Sequence, residues 1–129
     1  MAYKIMIVDD EPDVVYVIEQ NLLKEGYKVV KCYDGLDALA KVGSEKPDLI
    51  LLDIMMPKLD GHAVNSRLKE NPATASIPVI VITAHGNLRK LLQVRDELAV
   101  SGYFEKPFPV SLLKEKIKEL LNPDGTKSK

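Results

Sequence analysis

The sequence predicts an α/β fold, a doubly wound parallel sheet of five strands with five helices on its two faces. Three observations predict it. Short runs of β-branched and aliphatic residues alternate five times with segments of helical periodicity. Two of these runs, "DLILLD" (48–53) and "IPVIVIT" (77–83), are almost continuously apolar, as strands covered on both faces must be. At or just past the ends of four runs stand acids, a threonine or a lysine, at the edge where an open parallel sheet gathers its sites.

The first run, "KIMIVD" (4–9), leads into an acidic turn. Residues 12–25 then carry Pro12 in the first turn, where no N–H donor is needed, and Val14, Ile18 and Leu22 at helical spacing. Gly26 suits the stop. The second run, "YKVVKC" (27–32), is followed by "DG" and by a helix over 36–45 with Leu36, Leu39, Ala40 and Val42. The third run ends in Asp53, and a helix over 61–70 follows "LDG". The fourth run ends in Thr83. Residues 87–99 form the next helical segment, with Leu88, Leu91, Leu92, Val94 and Leu98. The fifth run, "GYFE" (102–105), is short. The last helix, 110–121, carries Val110, Leu113, Ile117 and Leu120, and Pro123 ends it. One domain is expected over 1–122, with 123–129 as a frayed tail or the start of a linker.

Hydrophobic residues make up 46% of the 129 and charged residues 29%, which suits a globular domain with a single core. A net charge of −1 gives no global pull toward nucleic acid or anionic membrane, so neither is expected as a direct partner of this domain. The single cysteine, Cys32, allows no internal disulfide and no thiolate metal site, which favours a reducing compartment. "MAYKIMIVDD" is too short and too soon charged for a signal peptide, and no apolar run nears the roughly 20 residues of a membrane helix. A cytoplasmic protein is expected.

The chemistry lies at the strand ends. Asp9, Asp10 and Glu11 end the first strand, Asp53 the third and Thr83 the fourth, with Ala84 next. Lys106 and Pro107 follow the fifth. Close carboxylates repel one another, and a hard divalent cation relieves that repulsion. Magnesium fits an oxygen-rich, partly hydrated site, with manganese as a substitute. Such a site suits phosphoryl transfer. Asp53 is the candidate nucleophile and would become an aspartyl phosphate. Thr83 would donate to one phosphoryl oxygen, Lys106 would pair with another, and small Ala84 leaves room. Taken alone, the acids of "DDE" also suit a helix N-terminus, Thr83 a plain strand residue and Lys106 a surface lysine. Their arrival at one edge favours the chemical reading.

The stretches "IMIVDDEPD", "CYDGLDAL", "PDLILLDIMMPKLDG", "IPVIVITA" and "GYFEKPF" together resemble the receiver domain of two-component response regulators, most of all its single-domain, chemotaxis-type members. The resemblance covers about residues 4–121. It implies a flavodoxin-like sheet with strand order 2-1-3-4-5 and a phosphoacceptor role for Asp53. It implies magnesium held by Asp10, Asp53 and the backbone carbonyl of Met55, with Asp9 acting through water. It also implies a cis bond between Lys106 and Pro107, and a switch pair in which Tyr103 turns inward as Thr83 moves toward the phosphate. The phosphoryl group would come from a sensor histidine kinase or a phosphotransfer protein. The face of the helix over 87–99, the fifth strand and the last helix would then engage a downstream protein, an effector domain or a second copy of the chain. Self-catalysed phosphorylation and slow hydrolysis are implied, not an enzyme with its own substrate. Met55 and His85 stand where the family tunes phosphate lifetime, and Leu59 and Ala99 depart from its commonest pattern. Two competing classes fit less well. An aspartyl phosphohydrolase wants a second Asp where Met55 stands, and a flavodoxin-like cofactor binder wants a phosphate loop where "DDEPD" stands.

Overall fold

The computed structural model of the chain describes residues 2–54, 61–83 and 100–121, with backbone only at 61 and 62. Within them lie strands β1 (Lys4–Val8), β2 (Lys28–Cys32), β3 (Leu49–Asp53), β4 (Val79–Thr83) and β5 (Gly102–Glu105). The described helices are α1 (Pro12–Lys24), α2 (Gly35–Glu45), α3 (Gly61–Glu70) and α4 (Val110–Leu121). The helix expected over 87–99 and the tail at 123–129 fall outside the described residues, as do Met55, Leu59, Ala84, His85 and Ala99.

All four strand pairings are parallel and the order is β2-β1-β3-β4-β5, as expected. Alternation along each strand divides the core in two. On one face Met6, Val8, Ile50, Leu52, Val79 and Val81 pack with Ala38 and Val42 of α2 and Val64 and Leu68 of α3. On the other, Ile5, Ile7, Leu49, Leu51, Ile80 and Ile82 pack with Val15, Ile18 and Leu22 of α1 and Leu113 and Ile117 of α4. Every residue of β3 and β4 is buried, which explains why those two runs lack polar alternation.

The helix phases refine the expectation. In α1 the fully buried row starts at Val15, and Val14 is only partly covered. In α2 the inward residues are Gly35, Ala38 and Val42, while Leu36 is 54% exposed and Ala40 also faces out. A side-chain cap defines the start of α2. Asp34 Oδ1 accepts the Asp37 N–H at 2.8 Å and fixes where the first turn begins. Helix α1 ends through Gly26, whose φ of +90° is open to glycine at little cost.

Candidate functional site

The site lies where the strand order reverses. Strand β1 sits between β2 and β3, so the chain leaves the carboxyl ends of β1 and β3 toward opposite faces and a crevice opens between them. Backbone bonds fasten its rim. The Asp9 N–H donates to the Cys32 carbonyl at 3.1 Å, the Ile54 N–H to the Ile82 carbonyl at 3.1 Å, and the Lys106 N–H to the Thr83 carbonyl at 2.8 Å. Strand β1 stops at Val8, so Asp9 and Asp10 belong to the turn beyond it. The Lys106–Pro107 peptide bond is cis.

Asp9 and Asp53 are buried, with Asp10 partly so, and each can place one carboxylate oxygen within 4.8 Å of the others. Lys106 answers this charge. Its Nζ lies 3.2 Å from Asp53 Oδ2, 3.0 Å from Asp9 Oδ2 and 2.6 Å from Glu11 Oε1. The first and last are aligned hydrogen bonds. The contact to Asp9 has ion-pair distance without that alignment, so Asp9 Oδ2 is buried with no hydrogen-bond partner among the described residues. Burial disfavours the lysine ammonium, but its close contacts with Glu11 and Asp9 and the charges of Asp9 and Asp53 outweigh this and raise its pKa.

Asp9 responds in the opposite sense. Burial pushes its carboxyl up to about 6, and the Asp53 charge adds to that. The Glu11 N–H and Lys106 pull it part of the way back. A buried carboxylate with an elevated pKa, an unpartnered oxygen and two acids close by is a donor set suited to a hard divalent cation. The residues present therefore fit magnesium.

Thr83 is fully buried at the end of β4, and its Oγ1 has no hydrogen-bond partner among the described residues. A buried hydroxyl left without a hydrogen bond costs about 1–3 kcal/mol. Tyr103 pairs with Val81 across β4 and β5, which places Tyr103 and Thr83 on the same face of the sheet. Tyr103 is half-buried against the cluster on that face.

Of the residues expected here, Asp9, Asp10, Asp53 and Lys106 come together, and Thr83 lies one position past the partner of Asp53 in the ladder. Met55 and Ala84 lie outside the described residues. Solvent does little to offset the charge of Asp53, whose side chain is only 4% exposed; Lys106 takes that part. Glu11 is grouped with the acids by the sequence but is assigned no task. It stands at the N-cap of α1, makes no side-chain cap, and reaches Lys106 instead. Its place beside "DD" is a sequence signal, but a contact across 95 residues is not legible from spacing.

The family model described as response regulator receiver domain matches residues 5–118. The chain is 38% identical over 118 residues to the "DNA-binding dual master transcriptional regulator RpaA" of Synechocystis, covering 92% of this chain and 48% of that protein. It is likewise 38% identical over 122 residues to the "alkaline phosphatase synthesis transcriptional regulatory protein PhoP" of Bacillus subtilis, covering 94% and 49%. The chain thus spans about half the length of these curated relatives. Among solved structures, the signal receiver domain of a signal transduction histidine kinase from Syntrophus aciditrophicus superposes with a TM-score of 0.87 at 29% identity, over 98% of this chain and 96% of that one. With the strand order, the acidic crevice and these matches in agreement, the chain belongs to the response regulator receiver domain family.

Proposed function

We propose that this chain is a phosphorylation-controlled switch of a two-component relay, with Asp53 as its phosphoacceptor. The observation that carries the reading is the crevice itself. Three carboxylates lie within 4.8 Å of one another, and a lysine ammonium lies 3.2 Å from the buried Asp53. An Asp53 oxygen attacks the phosphorus of a phosphohistidine on a sensor kinase or phosphotransfer protein. The new P–O bond forms as the P–N bond breaks, and the imidazole leaves and takes up a proton.

Magnesium, with manganese as a substitute, supplies charge neutralisation for the moving phosphoryl group. Asp10, Asp53 and the Met55 carbonyl would hold it, with Asp9 acting through water. Lys106 shifts from the carboxylates to a phosphoryl oxygen, and the Thr83 hydroxyl and the Ala84 backbone serve the others. The Thr83 hydroxyl, which has no hydrogen-bond partner among the described residues, supports this, since a phosphoryl oxygen would give it one. Tyr103 follows Thr83 inward, and the face formed by residues 87–99, β5 and α4 changes shape. A downstream protein, an effector domain or a second copy of the chain reads that face. The turnover is self-catalysed, with no dedicated substrate. We assign the switch to 1–122, with 123–129 as a tail or linker.

The test is intact mass after incubation with acetyl phosphate, with and without magnesium, beside Asp53→Ala. A magnesium-dependent gain of one phosphoryl group, absent in Asp53→Ala, is expected. No gain in a folded parent protein even with a histidine kinase present overturns the reading.

A further inference from the structure

Glu11 is the acid of the crevice that the metal does not need. Among the described residues, the carboxylates close enough to share a cation are those of Asp9, Asp10 and Asp53. Glu11 instead gives Lys106 its shortest contact, 2.6 Å. Its side chain is 59% exposed while that of Lys106 is only 17% exposed, so the pair spans the mouth of the crevice with the acid on the solvent side. Among the described residues, helix capping does not demand this pose. Glu11 stands at the N-cap of α1 without capping it by side chain, and only its backbone takes part in the turn, donating to Asp9 Oδ1 at 3.0 Å.

We infer that Glu11 is a positioning residue that acts through Lys106, a latch holding the ammonium at the mouth of the crevice until a phosphoryl group on Asp53 draws it in. This rests on the proposed phosphoacceptor role of Asp53. The ammonium has three donors, and among the described residues its contacts are three carboxylates: Asp9, Asp53 and Glu11. A phosphoryl group must take one of those donors. Asp53 carries the oxygen to be modified and Asp9 lies fully buried among the candidate metal ligands, so Glu11 is the partner free to let go. The Glu11 contact therefore lowers the affinity of the crevice for a phosphoryl group. An exposed ion pair is worth about 1 kcal/mol or less, so the effect is a tuning of about threefold to fivefold.

The probe is beryllofluoride, a phosphoryl mimic that bonds to a carboxylate oxygen. Its dissociation constant is measured at saturating magnesium, followed by backbone amide NMR shifts, for the parent protein, Glu11→Gln, Lys106→Met and the double variant. Saturating magnesium removes any effect of Glu11 on metal attraction, and Gln keeps the size of the side chain. Glu11→Gln is expected to bind about threefold to fivefold more tightly. Most of that gain should disappear when Lys106 is already Met. No gain overturns the latch. A gain that persists undiminished in the Lys106→Met background also overturns it, because the effect is then direct repulsion of the anion. A parent protein that binds no beryllofluoride and takes no phosphoryl group from acetyl phosphate overturns the phosphoacceptor reading and the latch together. Phosphorylation of the parent with no effect of Glu11→Gln overturns the latch alone.

Discussion

At the residue scale the crevice stores unfavourable terms. Asp9 is held near a pKa of about 6 against an ordinary 3.8, mainly by burial. A folded-state value above the unfolded one means the folded protein binds the proton more tightly. The resulting stability is complete below about 3.8 and is lost as pH rises through about 6. The full loss is on the order of 3 kcal/mol. Without metal at pH 8, Asp9→Asn is therefore expected to be more stable than the parent by about 1–3 kcal/mol in urea unfolding. That gain should fade as pH falls through about 6 and be gone by about pH 4. Magnesium needs the ionised form, so its affinity should fall over the same interval, measured by titration calorimetry. Thr83→Val removes a buried hydroxyl that has no hydrogen-bond partner among the described residues and keeps the shape. It is expected to stabilise the fold by about 1 kcal/mol. On the proposed role it should also weaken beryllofluoride binding. A loss of stability in thermal unfolding would mean that the hydroxyl has a partner in the native state.

At the scale of elements, turns decide the ends and burial decides the faces. Asp34 caps α2 through the Asp37 N–H, and Asp34→Ala is expected to cost about 1 kcal/mol in chemical unfolding. Gly26 at φ +90° should make Gly26→Ala cost about 1 kcal/mol, whereas Gly43, in mid-helix with open space around it, should accept alanine with a gain. These element ends were legible because Asp-Gly and a glycine after a periodic run carry a local mechanism. The phase of α2 was not. Leu36 and Ala38 are both apolar, and only the sheet beneath them selects Ala38 for the interior.

At the scale of the whole molecule, the sheet has two cores, and Cys32 sits fully buried on the α2 side of it. Burial first, then the nearby acids Asp37, Asp34 and Glu45, push its thiol up to about 12, with Lys41 opposing. Labelling of Cys32 by a thiol reagent is therefore expected to proceed only through opening of the fold, with a rate that follows denaturant concentration. Fast labelling of the native protein would show that the β2 edge opens by itself.

The sequence by itself determined which residues reach the edge of the sheet, the type of each side chain and the family resemblance. Asp9, Asp10, Asp53, Thr83 and Lys106 each stand at or just past a strand end, and a parallel sheet carries all such ends to one edge. Tertiary structure alone decided how charge is shared among them. The sequence contains no term for the 2.6 Å contact of Glu11 with a lysine 95 residues away, for the orphaned Thr83 hydroxyl, or for an Asp53 shielded from water. Local pattern fixes which residues reach an edge. Burial, and the pairing of charges within a few ångströms, exist only once the chain has closed around them.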